Sequence, residues 1–279
     1  MHIPAKRQWT WVPAFAICCV VATIILIPLL TTFLGGLRTN GELLTEPFSI
    51  PKTLHWENFA RILGGGSPFW GEIVNSLLTV IGTVVLLLAA ACPAAFVLAR
   101  FTFRGREIIF NFFLFGLLFP LTVAVLPLYI TIRQLGLLDS LWGVILPQVA
   151  FALPTTILIL RNFFRAIPVE LEDAATIDGA SKSIFFWRVL LPLARPAIAV
   201  VSILAVVSSW NNFLLPLLVL TDQSQWTLPL GATQFQQQYA TDWASILAFI
   251  TLAMIPAILI YLLAERQIVA GLTAGAVKG

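Results

Sequence analysis

The sequence predicts an all-α, polytopic membrane protein with six transmembrane helices and both termini in the cytoplasm. Three observations lead to this prediction: the hydrophobic content, the length of the apolar windows and the distribution of basic residues. Hydrophobic residues make up 59% of the 279-residue chain, and the mean hydropathy is +0.95. This is more apolar surface than one soluble core of that length would use, so we expect the chain to lie in a bilayer.

Six apolar windows are long enough for a spanning helix, which needs about 20 residues. None of these windows contains Asp, Glu, Lys, Arg or His. The predicted spans cover residues 11–34, 73–99, 108–132, 141–160, 196–220 and 244–264. Strands of a membrane barrel would alternate apolar and polar residues, whereas these windows are apolar on every face. Prolines interrupt the windows, so we expect these helices to be kinked or broken.

The basic residues orient the six spans. All but four of the 16 lysines and arginines lie on one side of the predicted membrane, and the exceptions are Arg38, Lys52, Arg61 and Arg133. Because cytoplasmic loops carry the excess of positive charge, both termini and the loop between the fourth and fifth spans are predicted to be cytoplasmic. The pI near 9.0 then reflects topology, and no nucleic-acid partner is needed to explain it.

The predicted spans carry no group suited to ion-driven transport or to catalysis. Pumps and secondary transporters usually hold ionisable residues at membrane depth, and both histidines, His2 and His55, lie outside the spans. The sequence also lacks the Gly-x-x-x-x-Gly-Lys-[Ser/Thr] pattern of a phosphate-binding loop. We therefore predict no catalytic residue, no metal site and no bound cofactor, and we expect any energy to come from another polypeptide.

Uncharged polar residues cluster near the end of the fifth span. Two interpretations remain open: the cluster lines a path for a neutral, hydroxyl-rich ligand, or it hydrogen-bonds neighbouring helices. The candidate path residues are Ser208, Ser209, Trp210, Asn211 and Asn212.

The acidic segment between the fourth and fifth spans predicts a short cytoplasmic helix at about residues 168–180. Pro168 suits the first helical position, and the acids that follow suit the positive end of the helix dipole. Gly179 can end the helix in a left-handed conformation, and Ser181 can cap the next helix, residues 182–190.

One face of this short helix is predicted to be an apolar strip of Leu171, Ala174 and Ala175, spaced at i, i+3 and i+4. A helix lying on lipid would have a basic polar face, but the polar face here is acidic. Protein docking is therefore the better interpretation of this segment.

The spacing Asp173-Ala174-Ala175, three residues, Gly179, nine residues, Val189-x-Leu191-Pro192 resembles the EAA signature of ABC importer permeases. Two positions depart from that signature, because Asp173 stands for Glu and Val189 for Ile. Other stretches resemble the maltose-type carbohydrate permeases, the MalG-like branch. These stretches are Gly41-Glu-Leu, Trp56-Glu-Asn-Phe59, Asn75-Ser76, Trp210-Asn-Asn-Phe213, Thr227-Leu-Pro-Leu-Gly231 and the tail at residues 271–279.

The resemblance implies a type I importer permease fold in a bacterial-type cytoplasmic membrane, with this chain forming half of a sugar pathway. Residues 168–180 would be the coupling helix, and the segment would dock on a cytoplasmic ATPase dimer that binds ATP and magnesium. The implied docking residues are Glu170, Leu171, Asp173, Ala174, Ala175, Asp178, Gly179, Leu191 and Pro192. The implied ATPase contacts in the tail are Gly271, Gly275 and Lys278.

The remaining implied partners are a second permease subunit, an external solute-binding protein facing the loop at residues 221–242, and membrane lipid. Two alternatives stay open. The chain could be a permease of the same branch for another polar solute such as glycerol-3-phosphate, or it could be a membrane sensor or scaffold that does not transport.

Overall fold

The computed structural model describes residues 11–47, 49–236 and 241–276, and these residues are mostly helical. The α-helices in this part of the chain are α1 Trp11–Gly36, α2 Asn40–Thr45, α3 Glu57–Arg61, α4 Phe69–Arg100, α5 Arg106–Phe115, α6 Leu121–Gln134, α7 Leu141–Ala166, α8 Glu170–Ile177, α9 Lys182–Phe185, α10 Leu191–Leu193, α11 Arg195–Trp210, α12 Leu214–Val219, α13 Leu228–Gly231 and α14 Trp243–Ala276. A 3-10 turn, Gly116–Leu118, follows α5, and a π-helical turn, Phe186–Leu190, follows α9.

Four of the described helices are long and apolar enough to cross a membrane. They are Pro13–Gly36, Phe69–Arg100, Leu141–Ala166 and Trp243–Leu262. Two bent helix pairs pass the same test together, Arg106–Leu118 with Leu121–Gln134 and Lys182–Leu193 with Arg195–Trp210, which gives up to six spans. The prediction of an all-α, multi-pass membrane protein is confirmed at this level.

The predicted third span, residues 108–132, is not one helix. The chain bends by 102° between Arg106–Leu118 and Leu121–Gln134, with Phe119 in an extended conformation (φ −89°, ψ 108°) immediately before Pro120. Proline disfavours helical geometry in the residue before it and has no N–H for the helical ladder. The expected break is therefore confirmed at Pro120, whereas Pro93, for example, lies inside the continuous helix α4.

The predicted fifth span, residues 196–220, is also divided. Helix α11 ends at Trp210, and α12 begins at Leu214. Between them, the Asn212 side chain accepts a hydrogen bond from the Leu215 N–H at 3.1 Å. Asparagine side chains compete in this way with the backbone carbonyls that a continuous helix would use. The pair Asn211 and Asn212, predicted as part of the path, therefore also lies at the break between α11 and α12.

The chain forms two compact units, the first from residues up to Ser67 together with Ala232–Pro256. In this unit α1 packs closely on the start of α14, because a Cβ on Gly36 would lie 2.8 Å from the Cα of Ala248. The buried Arg38 guanidinium closes the following loop by donating to the carbonyls of Glu46 and Pro47. Small residues allow helices in membranes to approach closely, which suits this contact.

The second unit contains Pro68–Gly231 and the residues from Ala257 onward. Its main buried cluster joins the last turns of α4 and α7 to α5, α9 and the start of α11. Fully buried side chains in this cluster include Leu160, Phe164, Phe185 and Leu190. The cluster forms the base on which α8 lies, because Ala175 of α8 packs against it.

Candidate functional site

The acidic helix α8 is shorter than predicted. It begins at Glu170 with Val169 as its N-cap and ends at Ile177, so Pro168 lies two residues before the helix and does not occupy its first position. The Val169 carbonyl accepts hydrogen bonds from the N–H groups of Glu172 and Asp173, at 2.8 and 3.0 Å. The first turn of α8 is therefore closed by backbone hydrogen bonds, and no side chain caps it.

Gly179 ends α8 as predicted. Its φ is +78°, and two backbone bonds close the turn, from Ala180 N to Ala175 O at 2.8 Å and from Gly179 N to Thr176 O at 3.0 Å. This pair of bonds is a Schellman motif, which requires a left-handed residue at the position after the C-cap. The predicted cap of the next helix is also confirmed, because the Ser181 side chain accepts from the Ile184 N–H.

The predicted apolar strip of α8 is only partly a surface. Leu171 is 42% exposed and Ala174 is exposed, but Ala175 packs inward against the buried cluster. The docking role of the three residues stays a prediction, and the partly buried Ala175 has less surface to offer a partner than the other two. Ile177 is 86% exposed and extends the outward strip, because it lies three residues after Ala174.

The acids of α8 point in different directions. Glu170, Asp173 and Asp178 are exposed, whereas Glu172 is 5% exposed. The outward face thus combines an apolar strip with negative charge, and the inward face carries one buried carboxylate. From the sequence, Glu172 is one of several acids in the first turn, and no separate role was predicted for it.

The other predicted docking residues lie beside α8 or farther along the chain. Leu191 is half-buried against the cluster, and Pro192 is exposed on α10. Gly271 and Gly275 lie in the helical backbone of α14. Lys278 lies outside the described residues.

A cavity of about 360 Å³ lies between α4, α6, α7, α11 and α12. Ser208, Ser209 and Asn212 line it. Trp210 is buried elsewhere, and Asn211 is exposed with its amide bonded to the Val207 carbonyl at 2.9 Å. The structure therefore brings together three of the five predicted path residues.

The cavity also contains polar residues that were not predicted as a group. They are Thr83 of α4 and Gln148, Thr155 and Thr156 of α7. The Thr83 hydroxyl donates to Gln148 Oε1 at 3.2 Å, while Gln148 Nε2 and Ser209 Oγ are buried without a hydrogen-bond partner among the described residues. The spacing of the α7 and α11 residues, in steps of three and four, is the signal that could have found this face.

None of the described residues lining the cavity is charged. Hydroxyls and amides alternate with apolar side chains, including the ring of Phe151. A lining of this kind can exchange hydrogen bonds with a neutral polar molecule and pack on its apolar faces. Among the described residues, no group of His, Cys, Asp and Glu side chains is suited to hold a metal ion.

The loop after α12 is tied to the first turns of α4 and to the turn before α7. The Asn75 amide donates to the Ser224 and Trp226 carbonyls at 2.9 and 3.0 Å, and Ser76 Oγ accepts from the Leu228 N–H at 2.8 Å. Asn75 and Ser76 therefore hold a loop and do not line the cavity.

Asp139 fixes the other end of that loop. Its carboxylate accepts from the N–H groups of Asp222 and Thr221, at 2.8 and 2.5 Å, and from the Thr221 hydroxyl. The Asp222 N–H bond, followed by the bonds from Thr221, holds the pKa of Asp139 below its usual value. The carboxylate is therefore ionised at neutral pH, where it can make all of these bonds.

The helices long and apolar enough to cross a membrane identify the chain as a polytopic membrane protein, and its cavity is polar but uncharged. Residues 88–272 match the family model described as the binding-protein-dependent transport system inner membrane component. The chain belongs to this family and is a permease subunit of a binding-protein-dependent importer.

Known relatives agree with this membership over most of the chain. The diacetylchitobiose uptake system permease protein NgcG of Streptomyces coelicolor is 36% identical, and the match covers 91% of this chain and 84% of that one. The arabinooligosaccharides transport system permease protein AraQ of Bacillus subtilis is 34% identical, covering 93% and 92%.

A solved structure supports the fold. A bacterial ABC transporter involved in the import of the acidic polysaccharide alginate matches with a TM-score of 0.80 and 22% identity, covering 95% of this chain and 99% of that one. The fold is therefore that of an ABC importer permease.

Proposed function

We propose that this chain is the permease for a neutral sugar or oligosaccharide and forms half of its path across the membrane. The uncharged lining of the cavity carries this proposal, because hydroxyl and amide groups suit a ligand rich in hydroxyls. The two sugar-uptake permeases described above support it. A phosphorylated solute such as glycerol-3-phosphate would favour an Arg or Lys near the ligand, and the described lining has neither.

The proposed assembly contains a second permease, a cytoplasmic dimer of ATPase subunits that bind ATP and magnesium, and an external solute-binding protein. Helix α8 docks on the ATPase through Leu171, Ala174 and Ile177, which present apolar surface on an otherwise acidic face. ATP binding closes the ATPase dimer, and the docked helices carry that closure to the permeases, so that the path opens alternately on each side. This chain performs no hydrolysis in this scheme.

The proposed topology has six spans, with α5 and α6 together forming the third and α11 and α12 together forming the fifth, all 279 residues acting as one permease domain and both termini in the cytoplasm. In the permease expressed without its ATPase, we expect a cysteine introduced at Ile177 to react with an impermeant maleimide only after the membrane is opened. A cysteine at Ser224 should react in intact cells. Both variants would be made after replacing Cys18, Cys19 and Cys92, and equal labelling of the two positions in intact cells would contradict the topology.

Sugar uptake by the reconstituted complex tests the function directly. Proteoliposomes with both permeases, the ATPase and the binding protein should accumulate a labelled neutral oligosaccharide in the presence of ATP and magnesium. They should not accumulate glycerol-3-phosphate. Vesicles without ATP provide the control, and substrate-stimulated ATP hydrolysis without any uptake would contradict transport and favour a sensor or scaffold. A binding screen on the binding protein would select the sugars to use.

A further inference from the structure

Glu172 is the buried acid of α8, and its carboxylate contacts two basic residues from other helices. One oxygen lies 3.6 Å from Nη1 of Arg100, the last residue of α4. The other accepts a hydrogen bond from Nζ of Lys182, the first residue of α9, at 2.5 Å. The side chains of Glu172 and Arg100 are only 7% and 8% exposed, so this is a buried ion pair within the subunit.

Arg100 also joins α4 to the end of α7. Its Nη2 donates to the carbonyl of Ile167, the C-cap of α7, at 2.7 Å. Two residues earlier on α4, the Leu98 carbonyl accepts a hydrogen bond from Nε of the buried Arg161 at 3.0 Å. The last turn of α4 is thus joined to the end of α7 by two hydrogen bonds and to α8 by one ion pair, and the side chains of Arg100, Arg161 and Glu172 that make these contacts are largely shielded from water.

Helix α4 connects this junction to the cavity. Thr83 lines the cavity on the same continuous helix, about 25 Å from Arg100 at ~1.5 Å per residue. A helix is a stiff element, so a displacement applied at its end can reach groups farther along it. The exposed strip of α8 and the cavity are therefore linked by one ion pair and one helix.

We propose that Glu172 is a positioning residue for transport, which passes the displacement of α8 to α4 through Arg100 and does not itself touch the ATPase. This role rests on the proposed docking of α8. A simpler role would be to place negative charge near the positive end of the helix dipole. The two roles differ in how strictly they depend on length, because an aspartate would keep the charge but withdraw the carboxylate from Arg100.

The test uses the complete reconstituted complex and measures ATP hydrolysed per sugar imported. Glu172→Gln and Glu172→Asp should each retain the ATPase subunit and raise this ratio by about tenfold, within the usual range of coupling between sites. Arg100→Gln should also raise the ratio, and the double variant Arg100→Gln with Glu172→Gln should raise it by less than the product of the two single effects, because both changes remove the same ion pair. The matched control is Glu46→Gln, which removes an exposed ion pair with Lys52.

Three results would overturn this role. They are a wild-type ratio in both Glu172 variants, a full effect in Glu172→Gln with none in Glu172→Asp, or loss of the ATPase subunit from a Glu172 variant that is normally inserted. If Glu172→Gln lowers the yield of folded subunit, Glu172→Asp supplies the comparison, because it keeps the charge. Absence of uptake by the wild-type complex would instead contradict the proposed function, so the two failures are distinguishable.

Discussion

Gly179→Trp is expected to release the ATPase from a permease that still inserts into the membrane, lowering the ATPase recovered with it by at least about tenfold, ~1.4 kcal/mol of binding. Gly179 has a φ of +78°, and a Cβ there would meet nothing within 4 Å. A side chain is strained in this conformation by about 1–2 kcal/mol, and its bulk would project outward at the end of the proposed docking surface. Co-purification of the ATPase with the tagged permease measures the effect.

The matched control for this variant is Gly136→Trp. Gly136 is also left-handed, with a φ of +68° and open space around its Cβ, but it lies in the turn between α6 and α7. The Gly136→Trp variant should keep the ATPase bound despite similar backbone strain. Gly179→Asn should also retain it, since asparagine tolerates the left-handed region. Equal ATPase loss in both tryptophan variants would show that strain, and not a blocked surface, explains the result.

The local chemistry of α8 was predictable from sequence, and its tertiary environment was not. Glycine is the residue that most readily adopts the left-handed conformation, so the end of the helix could be assigned from Gly179 alone. The inward direction of Glu172 depends on Arg100, which is far away in the chain. A carboxylate is usually exposed unless it is paired, and nothing in the local pattern identifies its partner.

The broken spans show a similar limit. Hydropathy identifies a window long enough to span the membrane, but it does not show where the helical hydrogen bonds are interrupted. Proline predicted the break at Pro120, yet Pro93 lies within an unbroken helix, because neighbouring groups can satisfy the freed backbone. At Asn212 the side chain itself replaces a helical bond, although the sequence predicted only a place on the path for that residue.

The cavity could have been defined more accurately from helical periodicity. The predicted path was a run of five consecutive residues, but five consecutive residues at about 100° each go all the way round a helix and cannot all share one face. The residues that line the cavity from α11 recur at steps of three and four, at Val201, Leu204, Ala205, Ser208 and Ser209. Trp210 is excluded by the same rule. The facing stripe on α7 required knowledge of which helices pack together.

Ser208→Trp is expected to reduce sugar uptake by at least about tenfold while leaving the ATPase bound and its basal hydrolysis intact. Ser208 lines the cavity, and its side chain is exposed, so an indole there would occupy space proposed for the sugar without displacing the buried cluster. A drug-sized ligand site has a volume of about 300–1,000 Å³. A cavity of about 360 Å³ has little room to spare for an added aromatic ring.

Val207→Trp supplies the comparison for Ser208→Trp, because it adds the same aromatic ring one residue earlier on α11. Val207 is 46% exposed and is not among the residues that line the cavity. Uptake of the labelled oligosaccharide, ATPase retention and basal hydrolysis would be measured for both variants in the same proteoliposomes. We expect Val207→Trp to transport at a rate within about twofold of wild type, since a surface change away from a packed site usually has a small effect. Normal uptake by Ser208→Trp would place the sugar path outside this cavity, because a path through it cannot accommodate both the indole and the sugar.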